Sequence, residues 1–226
     1  MSIRVSPGML LTENEPDDVI APAPAPPIHQ LMSSKIRLQA TGETVTFLDE
    51  EPGSPGERLL MEVLLPPGGP VPPPRIRPLQ AESLEVLEGT LRVQVGGDRF
   101  EVDAGDRLRI EAKRLHRWWN SGKGTVRFRI EVTPALNREW MIREIFASCN
   151  RRGSAKPSLW DGAYIIAQVP GEWSLGSVPE PIQRLAVPVL AAVGRMLGLT
   201  KVSRKTADEG RSLRRDSSTT MPPLGT

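Results

Sequence analysis

The feature that most constrains this chain is a series of short segments, between residues 35 and 132, in which apolar and charged side chains alternate. In the clearest case, Val126, Phe128 and Ile130 alternate with arginine and glutamate residues. Such alternation places the apolar side chains on one face of a strand. Glycine-containing turns such as 96–98 separate the segments. Many short, evenly spaced strands predict a β-sandwich or barrel, and closure into a barrel removes exposed strand edges.

The composition changes at both ends of this strand region. Residues 1–33 contain an alternating alanine and proline run, which predicts a flexible arm before the barrel at 34–133. After residue 133 the apolar spacing becomes helical, which predicts a helical extension over 134–200. Residues 201–226 are polar and are expected to form a disordered tail.

Charge and cysteine content narrow the function classes. The formal net charge is +2 over 226 residues, and the basic residues are scattered, so binding to nucleic acid is not expected. Cys149 is the single cysteine, which fits a reducing compartment. The N-terminal residues lack the apolar core of a signal peptide, and the apolar run near residue 190 is too short to span a bilayer. We therefore expect a cytoplasmic protein.

Two spacing patterns inside the predicted barrel resemble the two motifs of the cupin superfamily. In that family the first motif runs from a glycine through His-x-His and a glutamate to a second glycine, and the second runs from a glycine through Pro-x-Gly and a histidine to an asparagine. The matching positions here are Gly69, Arg75, Arg77, Glu82 and Gly89, and then Gly105, the 111–113 triplet, His116 and Asn120. The resemblance implies a mainly β fold, a single jelly-roll-like cupin barrel with a C-terminal helical extension.

The resemblance also implies where a metal would bind and why this chain should lack one. In the family, the two histidines of the first motif, its glutamate and the histidine of the second usually hold one divalent metal. The matching residues here are Arg75, Arg77, Glu82 and His116. Arginine has only donors and keeps its charge, so two ligand positions are lost. We expect neither a metal nor another cofactor.

The same residues predict an anion site. Two guanidinium groups beside one carboxylate leave a net positive pocket, and guanidinium groups bind carboxylates, phosphates and phenolates through paired hydrogen bonds. Arg75, Arg77 and Trp118 are the predicted ligand-binding residues, and His116 and Glu82 are the predicted catalytic ones. The structural alternative is that Arg75 points to water, Arg77 neutralises Glu82, and His116 and Trp118 belong to the core.

Three function hypotheses follow from these residues. The first is a metal-free barrel that binds a small organic anion or polyketide-like aromatic, with acid/base chemistry of the isomerase, cyclase or lyase type. The second is a non-catalytic module that binds a small molecule or a partner. The third is a metal-dependent oxygenase, which the arginines disfavour. The sequence leaves open whether the chain is an enzyme.

The apolar face of the last predicted helix has three alternative uses. It covers the barrel, forms the interface of a homodimer, or lies on a membrane surface through residues 182–199. We rank these uses in that order.

Overall fold

The computed structural model describes residues 34–48 and 58–202, together with the backbone of residues 3–4 and 9–10. In chain order the strands are β1 (Ile3–Arg4), β2 (Met9–Leu10), β3 (Ser34–Arg37), β4 (Thr44–Leu48), β5 (Leu59–Leu65), β6 (Arg75–Ile76), β7 (Ala81–Glu88), β8 (Thr90–Val95), β9 (Asp98–Asp103), β10 (Arg107–Ile110), β11 (His116–Trp119), β12 (Val126–Thr133) and β13 (Ser174–Leu175). The helices are α1 (Arg138–Arg152), α2 (Leu159–Gln168) and α3 (Glu180–Met196).

The strands form two sheets that enclose one core. The first has the order β1-β9-β8-β11-β6-β13, and the second has the order β2-β10-β7-β12-β5-β4-β3. Along β12 every second residue from Val126 to Val132 is buried. The alternation seen in the sequence therefore directs apolar side chains between the sheets. The predicted mainly β barrel with a jelly-roll-like arrangement is confirmed.

Strand pairing brings the two sequence motifs together. Arg75 on β6 lies directly opposite His116 on β11 in an antiparallel pair of the first sheet. Glu82 lies on β7 of the second sheet, where it is paired with Ile110 and Val132. The backbone carbonyl of Arg77, just after β6, accepts a hydrogen bond from the amide of Lys113. The interior between the sheets therefore receives side chains from both motifs.

The helical extension follows the barrel as the sequence predicts. Ile142, Phe146 and Cys149 of α1 join the barrel core, so this helix covers one end of the barrel. Helix α2 begins at Leu159, and the residue before it, Ser158, is its N-cap, whose hydroxyl accepts a hydrogen bond from the Asp161 amide.

Helix α3 packs mainly against α2. Its inner face buries Gln183, Ala191 and Gly194. Its outer face leaves large apolar side chains exposed, namely Ile182, Leu185, Val189 and Met196. In the described part of the chain, no helix is both long enough and apolar enough to cross a membrane.

The predicted flexible arm and disordered tail fall mostly outside the described residues. Within the arm, the backbone of β1 pairs in parallel with β9, and that of β2 pairs in parallel with β10. Within the tail, the Lys201 amide donates a hydrogen bond to Asp161. These contacts attach parts of both terminal segments to the folded body, which the composition of the segments did not indicate.

Candidate functional site

Four side chains that the motifs single out converge between the sheets. Arg77 and Glu82 are each only 1% exposed and form an ion pair. Arg75 Nη2 lies 3.9 Å from Glu82 Oε2. His116 Nε2 lies 3.4 Å from the same oxygen. The structure thus brings Arg75, Arg77, Glu82 and His116 into one buried group, with the carboxylate at its centre.

The surrounding groups determine the pKa values of Glu82 and His116. Burial alone would raise the pKa of Glu82, but Arg77, His116 and Arg75 together hold it well below its usual range. Burial lowers the pKa of His116, against the opposing effect of Glu82, so the imidazole is neutral near pH 7. His116 Nδ1 lies 2.9 Å from the carbonyl oxygen of Arg114. This contact orients the imidazole so that Nε2 faces Glu82.

Arg75 differs from Arg77 because it lies farther from the Glu82 carboxylate, with which Arg77 forms a close ion pair. Its Nε and Nη2 atoms are buried and have no hydrogen-bond partner within the described part of the chain. Its guanidinium lies 4.9 Å from the centroid of the Trp118 ring, which in turn meets Phe128 edge-to-face. Burial lowers the pKa of Arg75 to about 10, so it remains a cation at neutral pH. Arg75 is therefore the cation available to another anion.

A cavity of about 180 Å³ opens beside Arg75, and we call it the rim pocket. Its wall is formed by the proline-rich segment before β6, by Glu43 and Arg75, by both tryptophans of β11, and by the α1–α2 connection. The complete lining consists of Leu38, Thr41, Glu43, Leu65, Pro66, Gly69, Pro70, Val71, Pro72, Pro73, Arg75, Trp118, Trp119, Asn120, Ala155 and Lys156. Arg77, Glu82 and His116 are not among them. These three side chains are buried and meet one another between the sheets.

Two charged residues of this region were not found from the sequence. Glu43 lines the rim pocket, and burial raises its pKa to about 7 against the opposing effects of Arg75 and Arg138. Arg138 is the first residue of α1 and is 8% exposed. Neither residue belongs to a motif, and only the packing of α1 and of the β3–β4 turn brings them to the barrel.

The residues present do not fit a metal ion. His116 and Glu82 are spaced as two ligands of one ion would be, because two ligands at 2.0–2.1 Å in a tetrahedral site lie about 3.3 Å apart. However, Arg75 and Arg77 offer no lone pair. Within residues 34–48 and 58–202, no group of three or more His, Cys, Asp and Glu side chains is placed to hold a metal.

The two facing sheets, with the motif residues buried between them, define this part of the protein as a small jelly-roll β-barrel. Residues 61–133 match the cupin domain family, so this part of the chain is a cupin domain. Both sequence motifs lie within the matched segment. Comparison with curated proteins gave no match.

Solved structures with a similar arrangement are distant in sequence. A sugar phosphate isomerase from a cupin superfamily, from Silicibacter pomeroyi, is 21% identical with a TM-score of 0.35, and the match covers 39% of this chain and 59% of that one. KdgF from Halomonas sp. is 13% identical with a TM-score of 0.37, covering 43% and 84%. A predicted oxalate decarboxylase from Thermotoga maritima is 18% identical with a TM-score of 0.37, covering 46% and 94%. The chain thus spans less than two thirds of the isomerase.

Proposed function

We propose that this cupin domain binds a small organic anion, such as a carboxylate or a phenolate, in the rim pocket without the help of a metal. The observation that carries this proposal is the position of Arg75, a cation that lines the pocket and whose buried Nε and Nη2 lack hydrogen-bond partners in the described residues. Its nearest carboxylate, Glu82, is already engaged by Arg77. An anionic group of a ligand would accept the hydrogen bonds from Arg75 that Glu82 does not accept.

The remaining wall of the pocket suits an organic body attached to that anion. Trp118, Trp119 and the proline-rich segment provide aromatic and apolar surface, and Lys156 adds a second cation at the exposed side. Aromatic acids and polyketide-like phenols combine an anionic group with a flat apolar ring. Such molecules match both the cationic part and the apolar, aromatic part of the pocket wall.

The arrangement supports binding more directly than it supports catalysis. His116 and Glu82, the predicted acid/base pair, lie behind Arg75 and do not line the rim pocket. A direct proton transfer would require them within hydrogen-bond distance of the ligand. We therefore favour a binding role in which this pair positions Arg75, and we retain isomerase, cyclase or lyase chemistry as the alternative. A homodimer formed through the outer face of α3 also stays a prediction.

The first prediction tests Arg75 with benzoate as the probe. Arg75→Met removes the charge and the paired donors while Arg77 still neutralises Glu82, so the fold should persist. We expect benzoate affinity measured by isothermal titration calorimetry to fall roughly 10- to 150-fold, the usual effect of losing a charge-assisted hydrogen bond. The control is Arg92→Met, at a surface arginine paired with Glu101 on the same sheet. Equal benzoate affinity in all three proteins would refute the proposal.

The second prediction concerns pH and Glu43. Because the pKa of Glu43 is about 7, its carboxyl group loses its negative charge as the pH falls through neutrality. Burial lowers the pKa of His116, and this imidazole does not line the rim pocket. Arg75, whose pKa is about 10, keeps its charge over this range. Benzoate, which remains ionised, should therefore bind about fivefold more tightly near pH 6 than near pH 8, a coupling at the low end of the usual range.

The matched variant for this pH effect is Glu43→Gln. It mimics the neutral carboxyl group, so its benzoate affinity should be high and nearly constant across the same pH range. A Glu43→Gln protein with the pH dependence of the parent would assign the effect to a different group.

A further inference from the structure

Strand β6, which carries Arg75, has few backbone groups of its own that could fix its position. It is two residues long, it follows three prolines at 72–74, and Pro78 comes soon after it. Proline has no N–H group to donate to a neighbouring strand. The position of β6 in the first sheet therefore depends on its two neighbours, β11 and β13. On the β11 side, the register places Arg75 opposite His116.

The second neighbour, β13, comes from the helical extension. It pairs with both residues of β6, and Leu175 lies directly opposite Arg75. Just after β13, the Gly176 amide donates a hydrogen bond of 2.9 Å to the carbonyl of Pro74. A β-carbon at residue 176 would clash with Leu115 Cδ1 and would lie 3.2 Å from the Pro74 carbonyl oxygen. The two chain segments therefore approach this closely because residue 176 is a glycine.

Gln183, on the inner face of α3, satisfies the outer edge of β13. Its Oε1 accepts a hydrogen bond of 2.9 Å from the Leu175 amide, and its Nε2 donates to the carbonyls of Leu175 at 2.8 Å and Val178 at 2.6 Å. Because β13 is the last strand of its sheet, no further strand pairs with these backbone groups. The side-chain amide does for Leu175 what the peptide group of a neighbouring strand would do.

We propose that Gln183 is a positioning residue of the anion site, because it holds β13 against β6 and thereby keeps Arg75 at the wall of the rim pocket. This inference rests on the proposed function, since it takes Arg75 as the residue that binds the anion. No residue of α3 lines the pocket. The affinity of the pocket nevertheless depends on where α3 lies, and the helical extension regulates the site through the strand that it adds to the sheet.

The test removes the contact from each side and measures benzoate affinity by isothermal titration calorimetry. Gln183→Leu removes the amide at similar size and leaves the outer edge of β13 without its partner. We expect benzoate affinity to fall roughly 2- to 30-fold, the usual range for a residue that acts on a site through its neighbours. Gly176→Ala pushes β13 away from Pro74 by a steric route, and it should lower the affinity in the same direction.

The control variant is Ser158→Ala, which removes the N-cap hydrogen bond of α2. It weakens the same extension without touching β13, so its benzoate affinity should equal that of the parent at a temperature where every variant is folded. Amide hydrogen exchange at Arg75 and Ile76 provides a second measurement that needs no ligand. Exchange at these two amides should be faster in Gln183→Leu and unchanged in Ser158→Ala.

A double variant separates an effect through Arg75 from a general loss of structure. Arg75→Met/Gln183→Leu should bind benzoate no more weakly than Arg75→Met alone, because the residue being positioned is already absent. The inference is wrong if Gln183→Leu binds benzoate as the parent does, if Ser158→Ala loses as much affinity, or if Gln183→Leu weakens binding equally in the Arg75→Met background. If the parent and Arg75→Met bind benzoate equally, the proposed function itself has failed. The hydrogen exchange of β6 then decides alone whether Gln183 holds this strand.

Discussion

Replacing Glu82 with glutamine should lower the free energy of unfolding by about 3–5 kcal/mol, the usual effect of removing one partner from a buried charge pair. Glu82 is 1% exposed and is the carboxylate that faces Arg77, Arg75 and His116. Glutamine keeps the size of the side chain but leaves the buried guanidinium of Arg77 without a counterion. Urea denaturation at neutral pH, with the slope m compared between variants, measures this loss.

The same strand supplies the control for this prediction. Glu85 on β7 is paired with Arg107 at 2.8 Å, but both side chains are partly exposed to water. Glu85→Gln should therefore cost less than about 1 kcal/mol, as is typical of surface ion pairs. The double variant Arg77→Met/Glu82→Leu removes both buried charges together and should be more stable than Glu82→Gln alone. If Glu82→Gln costs no more than Glu85→Gln, the buried pair does not hold the barrel interior together.

The strands and helices could be predicted because their signals are local. Alternation along 126–132 requires only that one face of the strand meets the core, and the structure has β12 there with its alternate residues buried. The start of α2 was likewise visible in Ser158 and Asp161, which form the capping hydrogen bond. Signals of this kind depend on neighbours a few residues apart, and the rest of the fold does not alter them.

The convergence of the motif residues could be predicted from the family resemblance, even where residue types had changed. Lys113 stands at the position of the motif glycine and still adopts a left-handed backbone conformation, with φ of 67°. The backbone of the motif is therefore kept although the residue that favours this conformation is absent. In the same way, Arg75 and Arg77 occupy the positions of two metal ligands of the family, but they supply positive charge and hydrogen-bond donors instead of lone pairs.

The exact location of the pocket and the burial of Arg138 near the charged cluster could not be predicted. The sequence pointed to Arg77, Glu82 and His116 as the meeting point, and these side chains do meet, but they are buried and do not line the rim pocket. The rim pocket lies outside Arg75 instead. Arg138 is brought near the cluster only by the docking of α1 on the barrel, a long-range event with no counterpart in the local sequence pattern.

Restoring histidine at both altered positions should convert this barrel into a metal-binding protein. The parent is expected to contain well below one transition metal per chain, since Arg75 and Arg77 cannot act as ligands. The double variant Arg75→His/Arg77→His should instead retain close to one Zn²⁺, Mn²⁺ or Fe²⁺ per chain after dialysis. Elemental analysis by mass spectrometry of protein exposed to each metal measures the change.

The reason to expect such a large gain is that half of the site is already in place. His116 Nε2 and Glu82 Oε2 are 3.4 Å apart, close to the separation of two ligands on one ion, and the contact with the Arg114 carbonyl orients the imidazole. Arg75 lies directly opposite His116 on the neighbouring strand. Histidines at both arginine positions would add two nitrogen ligands and remove two positive charges from the place of the cation.

The double variant Lys35→His/Arg37→His controls for the addition of two histidines. It has the same spacing on β3, where both side chains are exposed and neither is paired with a carboxylate among the described residues. It should retain little metal after dialysis, because it lacks the two further ligands that a tetrahedral site needs. If Arg75→His/Arg77→His retains no more metal than this control, then Glu82 and His116 are not the remaining half of a metal site. Their buried contact then serves only to balance the charge of Arg77 and to hold Arg75 at the pocket.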